Sequence, residues 1–273
     1  MKQPLHVFLG VILLVCQQLS AQVSFTANTQ VPVYNGKFMY GTNPGYYSSW
    51  DDKSLADIAA GNPSKNVKGA GVKTLRPALP ESFLEQWSYD IRLAEFAHYA
   101  SLGIVDNTVF LNGPSTAHKD NTKYNGCADE SVLWKNMYEP IWDNGANGTP
   151  VNENNYYALY VYKTVTRYKN WVKFWEIINE PDYDYGGNGY RKKGETGNWY
   201  DNLPNPCDLP NMKAPIFNYI RLLRISYEVI KTVDPTAYIT TGGLGYPSFL
   251  DAILRFTDNP SGGAVSAAYP LKG

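Results

Sequence analysis

Residues 174–181 read FWEIINEP, and the way this stretch ends decides the architecture. Phe174 to Ile178 is a short apolar run broken once by Glu176, which fits a buried strand. Pro181 cannot donate to a sheet ladder, so it marks the strand's end. Strand residues alternate faces, which places Phe174, Glu176, Ile178 and Glu180 on one parity. The strand is therefore expected to finish by presenting an amide, Asn179, and a carboxylate, Glu180, side by side at its C-terminal rim.

Working outward, short apolar strands alternate with longer amphipathic helices. Strands are expected within KFMYGTNPGYY (37–47), GVKTLRPALP (71–80, broken by Pro77 and Pro80), IVDNTVFLNGPS (104–115), VKFWEIINEP (172–181) and TAYITTGGLGYP (236–247). Helices are expected in 51–61, 88–103, 154–171, 214–235 and 248–259. In 88–103 the residues Ile91, Ala94, Phe96, Ala97 and Leu102 fall near one face, and Gly103 ends the run. Alternation without hairpin signals predicts a parallel sheet with helices on its faces. An open doubly wound sheet and a closed (β/α)8 barrel both satisfy that. No glycine-rich phosphate fingerprint follows the first strand, which weakens a nucleotide-binding version. Two long polar segments, 116–150 and 182–211, both follow strands at their C-terminal ends, where barrel enzymes build their sites. Five βα units can be counted rather than eight. The expectation is a (β/α)8 TIM barrel truncated after about five βα units, with residues 22–273 forming its N-terminal portion.

Composition narrows the function. Twenty-four Lys and Arg stand against 25 Asp and Glu, a net charge of −1. That balance gives no electrostatic basis for nucleic acid or an anionic membrane surface. The aromatics are 22 Tyr and 7 Trp against 10 Phe. Tyr and Trp pair a flat apolar face with a polar tip, which suits sugar surfaces as well as ordinary packing. At the N-terminus, Lys2 precedes an apolar run, 7–15, and Leu19-Ser20-Ala21 stands before Gln22. This is the layout of a secretory signal peptide, residues 1–21, too short to serve as a membrane span. A lipoprotein reading would instead use Leu13-Leu14-Val15-Cys16. Either way the mature chain is expected to be secreted or periplasmic. Cys127 and Cys207 remain in it and could pair in an oxidising compartment. No His/Cys/Asp spacing suggests a metal site and no Gly-x-Ser-x-Gly elbow occurs, so no cofactor is expected.

A carboxylate at a strand's C-terminal rim is placed where a general acid would be held, open to substrate. An Asn-Glu pair is also, on generic grounds, a loop cap beside a solvated side chain. Here the motif is more specific. Trp175, Glu176, Asn179, Glu180 and Pro181, on the fourth strand of the series, resemble the fourth-strand motif of glycoside hydrolase clan A, the retaining β-glycosidases built on (β/α)8 barrels. The resemblance covers element order along the mature chain and is sharp only at this motif. It implies a carbohydrate substrate, Glu180 as acid/base and Asn179 as a contact to the sugar hydroxyl beside the reacting carbon. It also implies a role for Arg76, either orienting a catalytic carboxylate or simply pairing with Glu176. Loop aromatics at the same face, Tyr46 and Trp50 after the first strand and Tyr183 and Trp199 after the fourth, are candidates to line the cleft. Retention requires two carboxylates about 5–5.5 Å apart. The clan carries its nucleophile on the seventh strand, beyond the elements counted here, so this chain by itself is expected to be inactive. A non-catalytic carbohydrate-binding protein on the same scaffold, or an unrelated α/β barrel using its glutamate otherwise, are the alternatives.

Overall fold

The strands pair in parallel, and their order follows the sequence. A computed structural model describes residues 33–44, 52–183, 195–196, 198–199 and 205–255. The expected signal peptide, Tyr46 and Trp50 lie outside the described residues. β1 (Gly41–Thr42) pairs with β2 (Thr74–Leu75). β3 (Ala78–Pro80), β4 (Asn107–Asn112), β5 (Val172–Ile177) and β6 (Tyr238–Thr241) lie side by side in that order. Among the described residues six α-helices follow or separate them: α1 (Asp52–Ala60), α2 (Glu81–Trp87), α3 (Leu93–Ser101), α4 (Tyr156–Tyr168), α5 (Ile216–Val233) and α6 (Pro247–Arg255). The result is a mixed α/β fold with parallel sheets, which among the described residues do not close into a barrel.

The strand expected over 71–80 is two strands with different partners. Pro77 has no N–H to give, and there the chain leaves β1 and takes up β4. Its carbonyl still accepts from Phe110 N at 3.3 Å. The helix expected over 88–103 begins later, at Leu93, and α2 precedes it. Ser88, at φ 85°, separates the two in a backbone state that helices do not use. α4 starts where Asn155 accepts from Ala158 N at 3.0 Å, a side-chain cap for an otherwise orphaned donor.

The core lies between the sheet and its helices. On that face Val109, Leu111, Trp175 and Ile177 are fully buried against Tyr157, Val161 and Val165 of α4 and Tyr219, Ile225 and Val229 of α5. Buried tyrosines must spend their hydroxyls on partners, and here two of them tie strand ends together. Tyr160 donates to Leu79 O of β3 and accepts from Asn112 N of β4. Tyr219 donates to Ile177 O of β5 at 2.8 Å and accepts from Gly242 N, just past β6, at 3.0 Å. Both links sit at the C-terminal ends of the strands.

Cys127 and Cys207 form a disulfide across 80 residues of sequence. It joins the segment after β4 to the 3-10 turn Pro206–Asn211 that leads into α5. Among the described residues no helix is long and apolar enough to cross a membrane.

Candidate functional site

The C-terminal ends of β5 and β6 enclose a cleft of about 750 Å³. Arg76, Glu176, Asn179, Glu180, Asp182 and Tyr183 line one side, and residues 240–246 the other.

β5 does not run on to Glu180, as its pattern suggested. It stops at Ile177, and Ile178 and Glu180 take φ of 59° and 51°. That left-handed state is costly for any residue with a Cβ and is a true outlier for β-branched Ile. Conformations of this kind cost on the order of 1–3 kcal/mol each and persist where the surroundings over-determine them. Three constraints do so here. Ile178 N donates to Leu111 O at 2.9 Å, and the Ile178 side chain is buried in the core. Gly242 lies so close that a Cβ there would stand 1.8 Å from Ile178 O and 2.8 Å from Pro181 Cδ. Glu180 O in turn accepts from Tyr183 N at 3.0 Å. The strand therefore breaks into a tight turn, and simple alternation of faces does not carry through to Glu180.

Arg76 organises the floor of the cleft. Its Nε and Nη2 donate to Glu176 Oε2 and Oε1 at 2.7 and 2.5 Å, a two-pronged pairing suited to a buried carboxylate. Nη2 also donates to Asn179 Oδ1 at 2.7 Å. The guanidinium stacks over Phe110, 4.4 Å from the ring centroid. Gly243 N adds a bond to Glu176 Oε1 at 3.3 Å. Arg76 thus takes the pairing role with Glu176 while also holding Asn179. Because a guanidinium only donates, Asn179 must turn its oxygen toward Arg76, which leaves its Nδ2 as the donor available to a ligand.

Glu180 is 55% exposed at the side chain, more open than a half-buried acid, with Lys213 Nζ 3.6 Å from its Oε2. Lys213 also donates to Asn179 O at 3.0 Å and lies 5.1 Å from the centroid of Tyr183. Its neighbours Met212 and Ala214 are buried, so the lysine is presented from a fixed segment. Tyr183 is half-exposed on the cleft rim. Trp199 is not placed as expected. At 8% exposure it belongs to the hydrophobic core and does not line the cleft. A large indole gains more from burial than from solvent contact, and that burial overrides the loop-platform reading. Trp142, another loop aromatic, also packs inward and donates from Nε1 to Glu228 at 3.1 Å.

Sequence reasoning passed over Asp182, Lys213 and the turn after β6. Asp182 is 2% exposed yet borders the cleft, and its Oδ2 accepts from Tyr246 N at 2.7 Å. The GGLG run at 242–245 carried a usable signal, since glycines directly after a strand mark close backbone approach. Lys213 carried none, because its partners are distant in sequence. A second polar cluster stands at the ends of β3 and β4. Glu81, wholly buried, accepts from Ser115 N and meets His118 Nδ1, and the His118 ring stacks on Tyr156 at 4.2 Å.

No protein-family model matches the chain, and no curated protein matches it in sequence. Solved structures give distant likenesses. A conserved exported protein from Bacteroides fragilis superposes with a TM-score of 0.42 at 9% identity, over 76% of this chain and 44% of that one. The catalytic domain of GH30 xylanase C from Talaromyces cellulolyticus gives 0.43 at 13% identity, over 84% of this chain and 51% of that one. The chain spans about half the length of each. Neither score reaches the level at which a shared fold follows.

Proposed function

We propose that this chain is part of an exported glycoside hydrolase of the retaining, (β/α)8 type, acting on β-linked poly- or oligosaccharides. The observation that carries the reading is the strained turn after β5. Two non-glycine residues in left-handed backbone flank Asn179 and bring Asn179 and Glu180 to a cleft at the C-terminal end of a parallel sheet. Backbone strain of that kind is concentrated at functional sites, and this is the end of the strands where such sites are built. In the proposed roles, Glu180 protonates the departing glycosidic oxygen and then takes a proton from the incoming water. Asn179 donates from Nδ2 to the neighbouring sugar hydroxyl. Arg76 fixes Asn179 and neutralises Glu176. Tyr183 lines the sugar path. The nucleophilic carboxylate is proposed to lie on a later strand, beyond residue 273, and residues 22–273 to be the N-terminal portion of the barrel domain. Export through residues 1–21 accords with the disulfide, a bond that persists in oxidising compartments.

The test is calorimetric titration of the 273-residue chain with β-1,4-linked tetrasaccharides, together with hydrolysis of aryl β-glycosides. Binding that Asn179→Ala weakens at least tenfold, without turnover, is the expected result. Absence of any binding removes the carbohydrate reading. Turnover lost on Glu180→Gln would keep the enzyme and overturn the placement of the nucleophile. The alternative, a non-catalytic carbohydrate-binding protein, draws support from Lys213, whose Nζ lies 3.6 Å from Glu180 Oε2 and pairs with its charge.

A further inference from the structure

We propose that Tyr246 is a sugar-stacking residue of this cleft and that Asp182 is the residue that positions it. The inference rests on the carbohydrate reading above and adds a second rim to it.

The turn after β6 is pressed onto the turn after β5 at two points. At its start, Gly242 lies against Ile178 and Pro181, with no room for a side chain. At its end, the Tyr246 amide is bonded to Asp182 at 2.7 Å. Between them a Cβ on Gly245 would stand 3.8 Å from the same carboxylate oxygen, so the turn lies directly over Asp182. Burying a carboxylate is costly unless its hydrogen bonds are worth keeping. Asp182 spends one of its oxygens on a backbone amide of the neighbouring turn. A residue whose only task was to end β5 would not need that reach.

The consequence falls on the side chain that Tyr246 carries. Tyr246 is 46% exposed and borders the cleft. Tyr183, immediately after Asp182, is exposed to the same extent on the same cleft. Both rings leave backbones that are fixed, Tyr183 through Glu180 O and Tyr246 through Asp182. They stand on turns after neighbouring strands, which run about 4.8 Å apart. Two half-exposed phenols on adjacent rims offer flat apolar faces with hydroxyl tips. That combination suits a pyranose whose equatorial hydroxyls leave C–H faces bare, as in β-linked glucose or xylose units. Asp182 thereby couples the rim that carries Glu180 to the rim that carries Tyr246.

The experiment is calorimetric titration of the full chain with cellotetraose, paired with amide hydrogen exchange at Tyr246. Tyr246→Ala is expected to weaken binding about tenfold, and Tyr246→Leu, which keeps bulk without a ring, nearly as much, while Tyr246→Phe restores the affinity. Asp182→Ala is expected to weaken binding and accelerate exchange of the Tyr246 amide. Asp182→Asn, whose side-chain oxygen still accepts that N–H, is expected to rescue both. Wild-type affinity in Tyr246→Ala or in Tyr246→Leu would overturn the stacking role, and unchanged exchange in Asp182→Ala would overturn the positioning role. Binding that Asn179→Ala abolishes but the Tyr246 variants leave alone removes this inference and spares the carbohydrate reading. No cellotetraose binding by the wild-type chain removes both.

Discussion

Trp175 and Ile177 point to one side of β5 and Glu176 to the other, and the two sides are held by different means. On the helix side the contacts are mainly apolar and fully buried, and exchange of one apolar side chain for another of the same volume is what such packing tolerates best. On the cleft side one guanidinium, one carboxylate and one amide satisfy each other through directed bonds. Packing tolerates exchange of like for like. A polar network does not, because removing one member leaves another buried without a partner. The fold is thus specified mainly by the helix side, and the geometry of the site mainly by the cleft side.

The sharpest way to break that contrast is to remove Arg76. Arg76→Met is expected to cost about 3–5 kcal/mol in chemical denaturation, because it leaves the buried Glu176 charge without its cation and, among the described residues, with only the Gly243 amide as donor. Arg76→Met with Glu176→Met is expected to recover most of the loss. If the double variant were no more stable than the single one, the network would be no different in kind from the packing opposite it. Tyr219 joins the two sides, since its ring packs in the core while its hydroxyl links Ile177 to Gly242. Burial pushes its pKa well up, partly countered by the bond from the Gly242 amide. Tyr219→Phe is expected to lose about 1–2 kcal/mol at neutral pH, and amide exchange at Gly242 is expected to quicken while keeping part of its protection, because Gly242 N also donates to Ile177 O at 3.2 Å.

A separate effect, confined to acid pH, is expected away from both faces of β5, at Asp57. Burial acts to raise the pKa of Asp57, but hydrogen bonds from Lys65, Asn62 and His98 outweigh it and hold the carboxyl at about 2. A carboxyl depressed in the folded state adds stability above its unfolded pKa of about 3.9, and that stability is lost as pH falls. Thermal melts of wild type are therefore expected to fall more steeply than those of Asp57→Asn as pH drops from about 3.9 to about 2. Cleft variants should leave that difference untouched.

Much of the fold was legible because strand and helix periods are strong local signals. The parallel order, the position of β5 and the long segment after β4 all followed from them. What could not be read depends on contacts across the sequence. The split at Pro77 was visible as a proline, but the change of partner was not. The end of β5 was read three residues late, because alternation assumes extended backbone and Ile178 leaves it under pressure from Gly242. Trp199 was assigned by its loop composition, and the core claimed it. Glu180, Asn179 and Arg76 each stand out in the sequence one by one and line one cleft in the fold, whereas Lys213 and Tyr246 reach that cleft only through folding.

The Cys127–Cys207 bond encloses β5, α4 and the turn bearing Asn179 within one covalent ring. A protease that cuts once anywhere inside that ring leaves two pieces that still migrate together, and separate only when thiol is added. The chain can thus be nicked beside its cleft without either half being released.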